Sequence, residues 1–290
     1  MFYGSYVALI TPFQQGHVDE PALRKLVDFH IDSGTQGIVP VGTTGEASTL
    51  SNTEHKKVVN IVVEQTGGRI PVIAGAGSNN PAEALEYAQH AQRAGADGVL
   101  CVAGYYNRPS QEGLYQHFKY IHDNIEIPMI VYNIPARAIV DVLPETMQRL
   151  ARLERVVGVK DATAELARVS VEQQLIEGGF SYFSGEDMTA VGYNAMGGTG
   201  CISVTANVAP RHCAQLQQAC REGDFKQAQK LQQQLLALHQ ALFLEPSPAG
   251  VKYAASVLGL CDENVRLPIV EVSQQTKESI RRAIDCLNLI

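Results

Sequence analysis

No run of about 18 apolar residues occurs in the 290-residue chain, so a membrane-spanning helix is not among its expected features. The amino-terminal Met1-Phe2-Tyr3-Gly4-Ser5 has neither a charged leader nor a long apolar core, and a cytoplasmic location without an export signal is expected. The six cysteines, at 101, 201, 213, 220, 261 and 286, form no CxxC pair and no regular framework. Reduced, mostly buried thiols are the expected state. The eight histidines make no HExxH and no Cys/His ligand spacing, so neither a structural nor a catalytic zinc site is expected. Basic charge is scarce: 23 Lys and Arg against 30 Asp and Glu leave a formal charge of -7. That balance argues against a nucleic-acid footprint and against a basic membrane-binding face. Small anionic substrates stay open, because a pocket on an acidic protein can be locally positive. Low-complexity linkers are also missing.

What is present is a soluble globular composition, 45% apolar and 18% charged, in a chain long enough for one α/β barrel or two ordinary domains. Short apolar runs alternate with amphipathic helical patterns. Strands are expected at Tyr6-Ile10, Gly37-Val41, Pro71-Ala74, Gly98-Val102, Met129-Tyr132, Val156-Lys160, Tyr182-Ser184 and Cys201-Val204. Helical patterns between them include Glu20-Asp32, Thr53-Glu64, Pro81-Ala94, Gln111-Asn124 and Pro144-Arg152. Eight such units are what a (β/α)8 TIM barrel needs, and strands apolar on both faces suit it. The alternative is a doubly wound open sheet, which calls for a glycine-rich phosphate turn after an early strand. Gly197-Gly198-Thr199-Gly200 comes late and precedes its strand, so it is a weak dinucleotide signal. The reading is an α/β barrel over residues 1–223 and a C-terminal helical region over 224–290, held to the barrel through the turn-like Glu245-Pro246-Ser247-Pro248.

In a barrel the chemistry gathers where strands end at their carboxyl termini. Two runs end there in reactive side chains, Met129-Ile130-Val131-Tyr132 and Val156-Val157-Gly158-Val159-Lys160. Most of the other eight lysines lie in polar helical stretches such as His55-Lys56-Lys57. An amine at the end of an apolar β-branched strand is partly desolvated, which favours its neutral, nucleophilic form as Schiff-base chemistry requires. A lysine snorkelling from the strand end to Asp161 is the plainer alternative. The other strand ends carry Thr11, Gly42-Thr43-Thr44-Gly45-Glu46, Tyr105-Tyr106, Arg137, Gly185-Glu186-Asp187 and Ile202. The Gly-Thr-Thr-Gly turn can offer backbone N–H groups and two hydroxyls to a carboxylate; a threonine-capped turn is its ordinary role. Arg137 can clamp a second carboxylate or make a surface ion pair. The set suits a carbonyl substrate that carries a carboxylate.

Gly42-Thr43-Thr44-Gly45-Glu46, Tyr105-Tyr106-Asn107-Arg108-Pro109, Tyr132-Asn133-Ile134-Pro135-Ala136-Arg137, Gly158-Val159-Lys160-Asp161-Ala162-Thr163 and Ile202-Ser203-Val204-Thr205-Ala206-Asn207 resemble, nearly end to end, the motifs of the dihydrodipicolinate synthase / N-acetylneuraminate lyase family. The resemblance implies a class I aldolase-type lyase in which Lys160 forms a Schiff base with pyruvate. Thr43 and Thr44 would hold the pyruvate carboxylate near Gly185 and Ile202, and the enamine would attack aspartate 4-semialdehyde in lysine and diaminopimelate biosynthesis. Tyr132 would be the acid/base, linked through Thr43 to Tyr106 from a neighbouring subunit, and Arg137 would take the semialdehyde carboxylate. A homotetramer built as a dimer of tight dimers is implied, and no metal or organic cofactor. L-lysine as inhibitor is implied at Ala47, Ser48, Asn52, His55, Asn79, Glu83 and Tyr105. Within the family, a lyase acting on N-acetylneuraminate or a 2-keto-3-deoxy sugar acid is the second reading, disfavoured by Arg137; a catalytically inactive metabolite-binding barrel is a remote third. The chain departs from the family pattern at Ala103-Gly104, Ala138 and Pro248-Ala249-Gly250, and Gly104 removes a rigid φ constraint ahead of the tyrosine pair.

Overall fold

The computed structural model describes residues 1–102 and 104–289, so the departure at Ala103 lies outside the described residues. Eight strands run parallel: β1 Gly4–Ala8, β2 Gly37–Val39, β3 Ile73–Gly75, β4 Gly98–Val102, β5 Met129–Asn133, β6 Val156–Asp161, β7 Ser181–Ser184 and β8 Gly200–Ser203. β1 pairs with both β2 and β8, Gly4 opposite Gly200 and Tyr6 opposite Gly37. A single parallel bridge, Ile38 to Val72, joins β2 to the start of β3 and completes the ring. A first strand bonded to the last is a barrel, and the open-sheet alternative is ruled out.

Side chains alternate across each strand as the pleat requires. Tyr6, Ala8, Val39, Ile73, Leu100, Ile130, Tyr132, Phe183 and Ile202 fill the barrel interior. Val7, Val99, Met129, Val131 and Val159 point outward into the layer shared with the helices. The same alternation sends Lys160 inward and Asp161 outward.

The helices begin where the local chemistry says they should. Asp19 accepts from the Ala22 amide to open Glu20–Asp32, Ser51 and Glu54 form a reciprocal capping box on Asn52–Thr66, and Asn80 caps Pro81–Ala94; each cap satisfies an amide that the helix leaves free. Beyond β8 lie Pro210–Arg221, Phe225–Ala241, Ala249–Val257 and Gln274–Cys286, the last three packed on one another.

Two boundaries differ from the sequence reading. β2 stops at Val39 because Val41 takes φ 48, in the left-handed region where a β-branched residue is rare. β1 starts earlier than expected because Gly4 and Ser5 pair with β8. A two-residue hairpin, Phe13–Gln14 with His17–Val18, was not anticipated. Among the described residues no helix is long and apolar enough to cross a membrane.

Candidate active site

Lys160 and Tyr132 are register partners on adjacent strands, so the pleat turns both into the barrel at the same height. The Lys160 Nζ lies 4.1 Å from the centroid of the Tyr132 ring, and the lysine is only 6% exposed. It makes no ion pair with Asp161, whose outward side chain instead accepts from the Thr163 amide at 2.8 Å. Gly185 gives the amine its space: a Cβ there would lie 3.2 Å from Lys160 Cε and 2.9 Å from Ala162 Cβ. Its amide donates to the Asp161 carbonyl at 2.6 Å. Ile202, buried on β8, packs in the same interior cluster as Tyr132.

The Gly42-Thr43-Thr44-Gly45-Glu46 turn is held from below. Thr11 Oγ1 donates to the Gly45 carbonyl at 2.7 Å, the Glu46 amide to the Thr43 carbonyl at 3.1 Å. Gly75 has to lack a side chain, because a Cβ would meet the Val41 carbonyl oxygen at 2.2 Å. Glu46 itself sits at φ 56, a conformation that costs about 1 kcal/mol and persists only where the surroundings enforce it. They do: its carboxylate, buried, accepts from Lys252 Nζ at 2.8 Å and from the Arg266 amide at 2.9 Å. Thr44 is buried within the turn, whereas Thr43 is exposed toward the cavity.

A cavity of about 580 Å³ opens beside Thr43, lined also by Tyr132 and Arg137 and by Ala47, Ser48, His55, Glu83 and Tyr105. Lys160 does not itself line it, but its amine sits over the ring of Tyr132, which does. Arg137 is exposed on the short helix Pro135–Ala138, in which the departing residue Ala138 is buried. His55 stacks on Tyr87 at 3.9 Å, and burial pushes its imidazole down to about 4, so it is neutral at pH 7. Glu83 accepts from Ser78 Oγ at 2.6 Å.

Three expected site residues stand apart. Asn52 Nδ2 donates to Glu86 at 3.2 Å; Asn79 receives Asn107 Nδ2 on its carbonyl at 2.9 Å and borders a different pocket. Tyr106 is 89% exposed at φ 68. Within one chain, no hydrogen bond links the hydroxyls of Thr43, Tyr132 and Tyr106. The departing Gly104 is packed, since a Cβ there would lie 3.0 Å from Pro109 Cγ. Among the described residues no three His, Cys, Asp or Glu side chains converge as metal ligands.

Sequence reasoning missed the groups that hold the site from outside. Lys252 is fully buried against Glu46, although a lysine in a helix reads as hydrated. Arg168, on the outer helix Ala167–Leu175, is buried between Asp141 at 2.9 Å and Glu172 at 3.2 Å. Neither residue belongs to a strand end, and although Glu172 is one helical turn from Arg168, Asp141 and Glu46 lie far along the chain from the cations they meet.

An eight-stranded parallel barrel with an inward amine and phenol paired at the carboxyl ends of β5 and β6 defines a βα-barrel with a lysine-centred site. The profile of the Dihydrodipicolinate synthetase family matches residues 1–287, and the chain belongs to that family. It is 56% identical over 290 residues to 4-hydroxy-tetrahydrodipicolinate synthase of Parvibaculum lavamentivorans, covering 100% of both chains. Among solved structures it is similar to the chloride-inhibited dihydrodipicolinate synthase of Acinetobacter baumannii complexed with pyruvate, with a TM-score of 0.98, 42% identity and 100% of both chains covered. It is also similar to the lysine-bound enzyme of Cyanidioschyzon merolae, with a TM-score of 0.96, 30% identity and 99% of both chains covered.

Proposed function

We propose that this protein condenses pyruvate with L-aspartate 4-semialdehyde to give 4-hydroxy-tetrahydrodipicolinate, through a Schiff base on Lys160. The observation that carries the reading is the buried Lys160 amine over the ring of Tyr132 at 4.1 Å, a ring that lines one cavity with Thr43 and Arg137. The amine adds to C2 of pyruvate and water leaves, giving an iminium. That iminium is an electron sink, so a methyl proton can depart and an enamine forms. The enamine carbon attacks the aldehyde carbon of the semialdehyde. The semialdehyde amino group then adds to the imine carbon, closing the ring and releasing Lys160. Tyr132 serves as the acid/base for these proton movements. Thr43 and Thr44 take the pyruvate carboxylate with the amides of their turn, and Arg137, free on its short helix, takes the semialdehyde carboxylate as a bidentate clamp. Gly185 and Ile202 bound the space next to the imine.

Residues 1–223 carry the catalytic barrel in this reading and 224–290 the helical region that supports it. The exposed Tyr106 is directed to a partner subunit's site in a tight dimer, and the exposed apolar side chains Leu166, Val171 and Met196 suit a second interface that pairs dimers into a tetramer. The same cavity takes L-lysine as an inhibitor beside Ser48, His55 and Tyr105, with Glu83 for its ammonium group. Asn52 and Asn79 would have to turn from their present partners to join. Six free cysteines, three of them buried, suit the reducing cytoplasm.

Intact mass after borohydride reduction with pyruvate, on the wild type and on Lys160→Ala, tests the core of this reading. An adduct on the wild type alone, with turnover of the semialdehyde, is the expected result. An adduct without turnover would redirect the assignment to another aldehyde, and no adduct would remove Lys160 from the centre of the chemistry.

A further inference from the structure

The residues that follow Tyr132 and Lys160 on their strands, Asn133 and Asp161, are also register partners, and both point away from the barrel. They enter a buried polar network that the chemistry above does not use. Asn133 Nδ2 donates to Asp141 at 2.7 Å, and Asn133 Oδ1 accepts from the Val142 amide at 3.1 Å. Asp141 and Val142 close the segment that leaves β5, carries Arg137, and turns back at Ile139, whose φ of 66 is a strained conformation for a β-branched residue. From the outer helix, Arg168 donates to Asp141 at 2.9 Å and to the Val142 carbonyl, and to Glu172 at 3.2 Å. One guanidinium therefore ties the end of the Arg137 segment to helix Ala167–Leu175, and it shares its donors with a second carboxylate.

We infer that Arg168 is a positioning residue for Arg137, holding its segment through Asp141 and Val142, and that a proton on Glu172 leaves the guanidinium free to grip Asp141. The inference deepens the function proposed above and rests on Arg137 binding the semialdehyde carboxylate. The surroundings of Glu172 favour that proton. Besides Arg168 on its own helix, it lies within electrostatic reach of Asp161 from β6, Asp141 from the Arg137 segment, Tyr182 from β7 and Tyr193 from the helix Ala190–Ala195. Both phenol oxygens are buried without a hydrogen-bond partner. Arg168 is the one cation paired with Glu172 and the half-buried Asp141, and Glu165, largely exposed, stands 3.8 Å from the same guanidinium; with every carboxylate ionised, the buried Glu172 and Asp161 would carry more negative charge than one guanidinium offsets. Burial first, opposed by Arg168 and assisted by Asp161 and Asp141, pushes the Glu172 carboxyl up to about 7. Ionisation above that pH adds a charge that repels Asp141 and competes for Arg168.

Steady-state kinetics of Arg168→Lys and Glu172→Gln across pH 6 to 8.5 test this, with borohydride trapping of the pyruvate adduct run in parallel. Arg168→Lys keeps the charge but loses the fork, and its KM for the semialdehyde is expected to rise about tenfold or more with adduct formation within about twofold of wild type. An unchanged KM, or loss of the adduct in equal measure, would overturn the role. In the wild type that KM is expected to rise as pH passes 7, and Glu172→Gln should hold it at its low-pH value. A pH step that survives in Glu172→Gln would overturn the part played by the proton. Should Arg168→Lys fail to fold, Asp141→Asn carries the same expectation for KM. A wild type that turns over no semialdehyde would sink the proposed function instead. The clamp would then be read from hydrogen exchange of the Ala138, Ile139 and Val142 amides, which loss of the Arg168 fork should speed about tenfold; unchanged exchange would overturn it.

Discussion

Lys252 and Glu46 are 206 residues apart in the chain, yet the ammonium of one lies 2.8 Å from the carboxylate of the other with neither open to solvent. The pair fastens the C-terminal helix Ala249–Val257 to the turn that carries Thr43 and Thr44. Burial lowers the affinity of Lys252 for its proton and Glu46 restores part of it. Replacing one member strands the other charge in a dry site, so Lys252→Met is expected to cost about 3–5 kcal/mol in denaturant unfolding. The double variant Glu46→Gln with Lys252→Met should recover part of that loss. A single variant as stable as wild type would show that the pair does not hold the turn.

Gly185→Ala places a methyl group against Ala162 Cβ and Lys160 Cε. Overpacking of this kind costs about 1–3 kcal/mol, and here it falls on the amine that has to move toward C2 of the ketoacid. Stopped-flow trapping of the pyruvate adduct should slow about tenfold or more, while the far-ultraviolet circular dichroism stays that of the wild type. Trapping at the wild-type rate would contradict the crowding.

Tyr106 contributes through the neighbouring subunit in the proposed mechanism, because on its own chain it lies open to solvent. Tyr106→Phe should lower kcat by about 10²-fold with little change in either KM. Dilution of the wild type below the dissociation constant of the tight dimer, followed by sedimentation, should lower specific activity in parallel with mass. Full activity from a sedimenting monomer would remove the cross-subunit role.

Glu172 makes stability depend on pH with a definite sign. Its folded-state value of about 7 lies above the ordinary 4.5, so between those pH values the folded protein binds the proton and the unfolded chain does not. Stability from this group is present below about pH 4.5 and is lost progressively up to about pH 7, by on the order of 3 kcal/mol. Glu172→Gln, which keeps a neutral hydrogen-bonding group, should therefore raise Tm more at pH 8 than at pH 5. An equal shift at both pH values would show that the carboxyl is not held neutral.

The barrel and its central amine were legible because each is a local signal. A β-branched run ending in lysine is visible within six residues, and the alternation of such runs with amphipathic helices sets the class. The supports of the site were not legible, because Asp141 and Glu46 lie far along the chain from Arg168 and Lys252 and because the buried faces run against the usual pattern. Val171 is 46% exposed while its neighbour Glu172 is 1% exposed, the reverse of what hydrophobic patterning assigns to that helix. The helix packs on Pro144–Ala151, and its buried acid is paired with Arg168 one turn before it, which in turn reaches Asp141. Tyr106 was recognised through its motif, and its exposure in a single chain is why its own surroundings say little about its task.

The bonding of β1 to β8 sets an order on the birth of the protein. Ala8, which ends the first strand, and Ile10, two residues beyond it, are bonded through their backbone to the side chain of Asn207, so their partner leaves the ribosome nearly two hundred residues later. At about 5–20 residues per second, the opening strand waits on the order of ten seconds or more with one edge unsatisfied. During that interval the nascent chain is a half-barrel that offers a free strand edge to any other chain nearby. Slower synthesis of the first two hundred residues is therefore expected to lengthen that exposed interval and lower the folded yield at unchanged stability of the finished ring.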